Sequence, residues 1–230
     1  MRVHIRGRMG VQLLQAFVGI GRLGEDERPT LIVNSGGDVP GAKTSQLHWV
    51  TDPMCEVRED HEGMRKTPYW HGGAASVAFR GREMSMAWLP LLDHRDNKPN
   101  DMVIAHMRGG DKRIATPETY RKFLAYAYGR HPDTKIYVMS DDVTLLDEVE
   151  PDRSLHIVGE PDEDWFTILN AKHVYCATSS FVTSTLLYNP DKKVTVMHRA
   201  WCDGDYGAID DDYRFLEDAQ MFCPNLEILS

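Results

Sequence analysis

The chain has 230 residues, 42% hydrophobic and 27% charged, an ordinary globular composition with room for one large domain or two small ones. Its formal net charge of −9 argues against a broad basic face for nucleic acid, while a local positive cleft for a small anionic ligand stays compatible with it. Cys55, Cys176, Cys202 and Cys223 stand too far apart for a zinc motif or a disulfide scaffold. No apolar run reaches the roughly 20 residues of a membrane span, and Met1–Arg6 lacks the apolar stretch of a signal peptide; a cytoplasmic chain with reduced thiols is expected.

In chain order, residues 3–5 read as a first strand, followed by a glycine turn at Gly7–Gly10 and a helix from about Val11 to Leu23. Leu13, Leu14, Phe17, Ile20 and Gly21 recur on one helical face, so this helix is expected to pack on a sheet. Strand, glycine turn and helix make the opening of a Rossmann-like unit. Residues 31–33 read as a second strand. The pattern then dissolves into mixed polar and aromatic residues through Gly73. Residues 75–79 read as another strand and residues 84–92 as an apolar helix, before a polar stretch, Asp93–Asp101, that reads as a linker.

From Met102 the alternation becomes regular. Strands are expected at 102–108, 135–140, 154–158, 174–177 and 193–198, with helices at about 117–130, 142–149, 163–172 and 180–188 between them. Such alternation implies crossover connections and a parallel sheet covered on both faces. Thr116-Pro117-Glu118 supports a helix start, with Thr as cap and Pro in the first turn. A short helix near residues 213–221 follows in the tail. The expected architecture is α/β, with lobes at residues 1–100 and 101–230.

Val103–Lys112, VIAHMRGGDK, is the most informative stretch. An apolar strand ends abruptly in His106, Arg108, two glycines, Asp111 and Lys112. At Gly109 and Gly110 the missing Cβ permits positive φ and close approach of a ligand to the main chain. Arg108 supplies a planar charged fork suited to a diphosphate, and Asp111 is near enough to orient it. A charged turn without a ligand is the alternative. Two further strand ends carry small polar groups: Ser140-Asp141-Asp142, and Thr178-Ser179-Ser180-Phe181. Parallel strands place all three clusters along one edge, the edge where open α/β sheets bind ligands. Ser140–Asp142 suits either a helix cap or a carboxylate accepting from a base edge. Thr178–Ser180 suits either a cap or a phosphate held at a helix start.

These motifs, in this order, resemble the fucosyltransferase superfamily of α-1,2-, α-1,6- and protein O-fucosyltransferases. HMRGGDK at 106–112 is similar to the family's H-x-R-R-x-D, YVMSDD at 137–142 to its strand ending in Ser/Thr-Asp-Asp, and the segment 164–181 to its third motif. GRMGVQ at 7–12 resembles its G-x-x-G-N-Q loop. The second arginine of the pair is Gly109 here, and the loop asparagine is Val11. The resemblance implies a GT-B fold of two facing Rossmann-like lobes with parallel sheets, and a metal-independent, inverting transfer of a sugar, fucose by analogy, from a GDP-sugar to an acceptor hydroxyl. In that reading Arg108 holds the donor β-phosphate, with His106, Gly110, Asp111 and Lys112 around it. Asp141 or Asp142 holds guanine beside Ser140. Thr178, Ser179, Ser180 and Phe181 border the phosphates, and Arg8 and Gly10 reach in from the first lobe.

Leaving-group charge at the diphosphate needs a fixed positive group, for which Arg108 is the first candidate. For the general base the candidates are Glu118, Asp38, His48 and His71. Asp203-Gly204-Asp205 has the D-x-D form of a metal site but lies beyond the alternating sheet, where a solvated turn is expected; no metal or other cofactor is expected. Expected partners are a nucleotide-sugar donor and a glycan or other hydroxyl acceptor. The competing reading is a non-catalytic sugar-nucleotide or glycan binder that keeps the fold. No G-x-G-x-x-G follows either first strand, which argues against a dinucleotide enzyme.

Overall fold

A computed structural model describes residues 2–5, 9–22, 30–33, 58–59, 74–86, 100–109, 113–203 and 209–230. The chain divides into two compact units, Met1–Asn97 and Lys98–Ser230.

In the first unit, β1 (Arg2–Ile5), β2 (Thr30–Val33) and β3 (Arg58–Glu59) form a parallel sheet in that order. Helix α1 spans Met9–Gly21, so it starts two residues earlier than expected and Gly10 lies in its first turn. The stripe read from the sequence is buried: Leu13, Leu14, Phe17 and Ile20 are each at most 1% exposed. Residues 75–79 are not a strand. They belong to α2, Ala74–Met86, which also takes in the start of the helix expected at 84–92. The physical reason is a stripe of small residues. Ala74, Ala78 and Gly81 recur at helical spacing and are buried. A Cβ on Gly81 would lie 2.0 Å from the Phe17 carbonyl oxygen, and one on Gly21 would lie 1.9 Å from that of Val77. Glycine at both positions lets α1 and α2 cross backbone against backbone, a constraint that turn-seeking rules misread as punctuation.

The second unit is built on six parallel strands: β4 (Val103–Met107), β5 (Ile136–Ser140), β6 (His156–Ile157), β7 (His173–Cys176), β8 (Lys193–Val196) and β9 (Leu226–Ile228). Their order is β6-β5-β4-β7-β8-β9. The chain therefore moves outward from β4 to β6, then returns to the other side of β4 at β7. That reversal puts a topological switch point beyond the C-terminal ends of β4 and β7, the place where this topology binds ligands. Connecting helices are α3 (Pro117–Arg130), α4 (Val143–Val149), α5 (Pro161–Asn170), α6 (Ser180–Tyr188) and α7 (Ile209–Ala219). All five residues of β4 are buried, as a central strand covered on both faces requires. Val103, Ala105 and Met107 pack with Tyr120, Phe123 and Leu124 of α3 and Leu145 and Leu146 of α4.

Strand β6 is shorter than expected because Asp152 caps a 3-10 turn, Arg153–Leu155, accepting from Ser154 N. Helix α7 starts four residues before the expected position. Asp210 and Asp212 lie near its start, where acidic side chains favour the positive end of the helix dipole. Strand β9 was not expected: three residues at a sheet edge leave too short a pattern to separate from a tail.

Candidate functional site

The site is assembled where β4, β5 and β7 end. Main-chain atoms of Arg108 are held by Tyr120 on α3, whose hydroxyl accepts from Arg108 N at 3.0 Å and donates to Arg108 O at 2.8 Å. Asp141, beyond β5, grips the same turn from the other side. Its Oδ1 accepts from Gly109 N at 3.0 Å, and its Oδ2 lies 3.2 Å from Arg108 Nη1. Asp141 is thus an orienting group for Arg108, the role the sequence reading gave to Asp111. Both β4 and α3 are rigid elements, so the guanidinium is fixed at its root and at its head.

Gly109 is required by space rather than by a left-handed backbone, which it does not adopt. A Cβ there would lie 2.5 Å from the Asp142 Cβ and 3.1 Å from Ser140 Oγ. An arginine in this second position of the motif would displace the Asp142 turn. Asp142 caps α4, its Oδ1 accepting from Thr144 N at 3.0 Å and Leu145 N at 3.3 Å, with Arg113 3.9 Å from its other oxygen. Ser140 Oγ accepts from Asp142 N at 3.1 Å. The capping alternative for Ser140–Asp142 is therefore realised, and the carboxylates expected to hold a base both bond backbone amides.

Across the switch point, α6 begins at Ser179 in extended conformation without a side-chain cap. Hydroxyls farther along the helix are all used internally: Thr183 donates to Ser179 O, Ser184 to Phe181 O and Thr185 to Val182 O. Thr178, at the mouth of this helix, is fully buried and its Oγ1 has no hydrogen-bond partner. His106, whose ring stacks on Phe181 at 5.9 Å and 26°, is 6% exposed and its Nδ1 is likewise unpartnered. Burial, followed by the Arg108 charge, lowers the His106 pKa to about 4, Asp141 opposing only in part. The imidazole is neutral at physiological pH. Two buried polar atoms left unsatisfied beside an uncapped helix start and a fixed arginine describe a receptor for an anion carrying hydrogen-bonding oxygens.

Among the remaining sequence candidates, Glu118 lies on the exposed face of α3 in an ion pair with Lys122, 2.9 Å apart, which lowers its pKa. Gly110, Asp111, Lys112, Arg8, Asp38, His48, His71 and Asp205 lie outside the described residues. Asp203 serves α3: its oxygens accept from Thr116 N at 2.7 Å and from the Thr116 and Thr119 hydroxyls at 3.0 Å. Burial acts to raise its pKa, but these hydrogen bonds outweigh it and the net shift is downward. No group of three metal-binding side chains occurs among the described residues. Sequence reasoning missed Tyr120, because the hydroxyl acts twelve residues away from its own motif and only the α3 packing brings it there.

No protein-family model matches this chain, and no curated protein matches it. Among solved structures, a similar chain is E. coli heptosyltransferase WaaC with ADP, at 11% identity and a TM-score of 0.46 over 97% of this chain and 99% of that one. No helix among the described residues is long and apolar enough to cross a membrane.

Proposed function

We propose that the chain is a glycosyltransferase that binds the diphosphate of a nucleotide-sugar in the second unit and transfers the sugar to an acceptor hydroxyl with inversion. The observation that carries this reading is the switch-point receptor: Arg108, fixed by Tyr120 and Asp141 at the end of β4, and the uncapped start of α6 after the neighbouring β7, with Thr178 Oγ1 unsatisfied. Each part favours negative charge, and a fixed guanidinium stabilises the charge that grows on a departing diphosphate. Charge is met by side chains and amides, so the transfer is proposed to run without a metal. The donor proposed from the motif resemblance is GDP-fucose.

Release of GDP from GDP-fucose by the purified chain, with and without an acceptor mixture, tests the reading. Arg108→Ala is expected to abolish release, and a chelator to leave it unchanged. Release that survives in Arg108→Ala, or that depends strictly on manganese, would refute it.

A further inference from the structure

Trp201 is one of the few large apolar side chains left open in the described structure, 39% exposed, and its place is specific. It closes the short turn Arg199–Trp201 just beyond β8. Strand β8 pairs with β7 through Cys176↔Val196, and Met197 N continues the ladder to Cys176 O at 2.8 Å. Residues 198–201 therefore leave the sheet at the same C-terminal edge as Thr178, on the strand next to β7.

The turn is held from several sides. His198 Nδ1 accepts from Ala200 N at 3.1 Å, so the ring's other nitrogen, Nε2, is the one that carries a proton to donate. Tyr213 donates to Met197 O and lies 3.5 Å from Cys202 Sγ, Arg199 pairs with Asp210, and Asp203 anchors the far end to α3. The Trp201 and His198 rings meet edge to face at 6.2 Å and 60°. An indole kept open by a turn clamped this thoroughly is a preorganised surface, whose exposure loose chain does not explain. On the opposite flank of the receptor, Asp141 and Asp142 are bound to backbone amides and to arginines.

We propose that Trp201, flanked by His198, is the platform on which the base of the bound nucleotide stacks, so that the base lies on the β8 side of the diphosphate. This rests on the diphosphate reading above. Aromatic platforms accept any base face, while Nε2 of His198, the ring nitrogen that Ala200 does not engage, is proposed as a donor to a ring or ribose acceptor.

Calorimetric titration of the full chain with GDP, ADP, UDP and inorganic pyrophosphate tests it. Trp201→Ala should weaken the tightest nucleotide roughly 10-fold or more and leave pyrophosphate unchanged, whereas Trp201→Phe should stay within about 3-fold of the parent. Fluorescence quenching by that nucleotide, absent with pyrophosphate, should disappear in Trp201→Ala. Equal nucleotide affinity in parent and Trp201→Ala overturns the platform alone, as does a loss on Val143→Ala beyond β5 that Trp201→Ala does not show. A parent that binds neither nucleotide nor pyrophosphate overturns the diphosphate reading and the platform with it.

Discussion

Thr178 and Gly109 separate binding from stability most sharply. A hydroxyl buried without a partner destabilises the fold, so Thr178→Val, which keeps the shape and removes the polar atom, is expected to raise stability by about 1 kcal/mol. The same change should weaken pyrophosphate and nucleotide binding several-fold. Chemical denaturation and calorimetry read the two effects with opposite sign; a variant that loses stability and keeps binding would remove Thr178 from the receptor. Gly109→Ala places a methyl 2.5 Å from the Asp142 Cβ and is expected to cost about 1–3 kcal/mol, seen as a lower denaturation midpoint. Gly109→Arg, which would complete the arginine pair of the motif this stretch resembles, should therefore impair folding instead of raising activity. The departure from the motif at this position follows from the Asp142 cap, a contact invisible in a linear pattern.

At the level of elements, the N-terminal end of the second sheet carries a polar chain that pins α3 to three strands. Glu227 on β9 accepts from the Thr195 hydroxyl on β8 at 3.0 Å, so His173 Nε2 donates to Thr195 Oγ1 at 2.9 Å. His173 Nδ1 then accepts from His131 Nε2, 3.1 Å away, at the C-terminus of α3. Burial, helped by Lys193, lowers the His173 pKa to about 3; His131, Arg130 and Lys192 act in the same direction, and His131 itself is also lowered. Because the unfolded imidazole, with a pKa near 6.5, binds more protons than the folded one between about pH 3 and 6.5, stability falls as pH falls through that window. Between pH 7 and 4.5 the wild type should lose roughly 2 kcal/mol more than His173→Gln, whose amide keeps both hydrogen bonds without titrating. Urea midpoints at the two pH values check this, and parallel losses in both proteins would remove His173 as the cause. His106, lowered to about 4, contributes with the same sign at the other end of the sheet.

At the scale of the molecule, the second unit has a six-stranded sheet and a core of its own, so residues 98–230 expressed alone are expected to fold cooperatively and to bind the same nucleotide as the full chain. Donor turnover by that fragment should be lost. A fragment without a cooperative unfolding transition would show that the second core depends on the first unit. Sequence by itself determined the alternation from residue 102 onward, the buried central strand and the three polar strand ends, because periodicity and turn chemistry are local properties that survive in a linear reading. It failed at Ala74–Met86 and at β9: a glycine-bearing stripe for a backbone-close helix crossing and a three-residue edge strand have meaning only against their neighbours. Only tertiary structure could decide which carboxylate holds Arg108, why Gly109 is glycine, and that Tyr120 and Trp201 stand where they do. Those roles are set by distances between elements far apart in the chain, which no local pattern encodes.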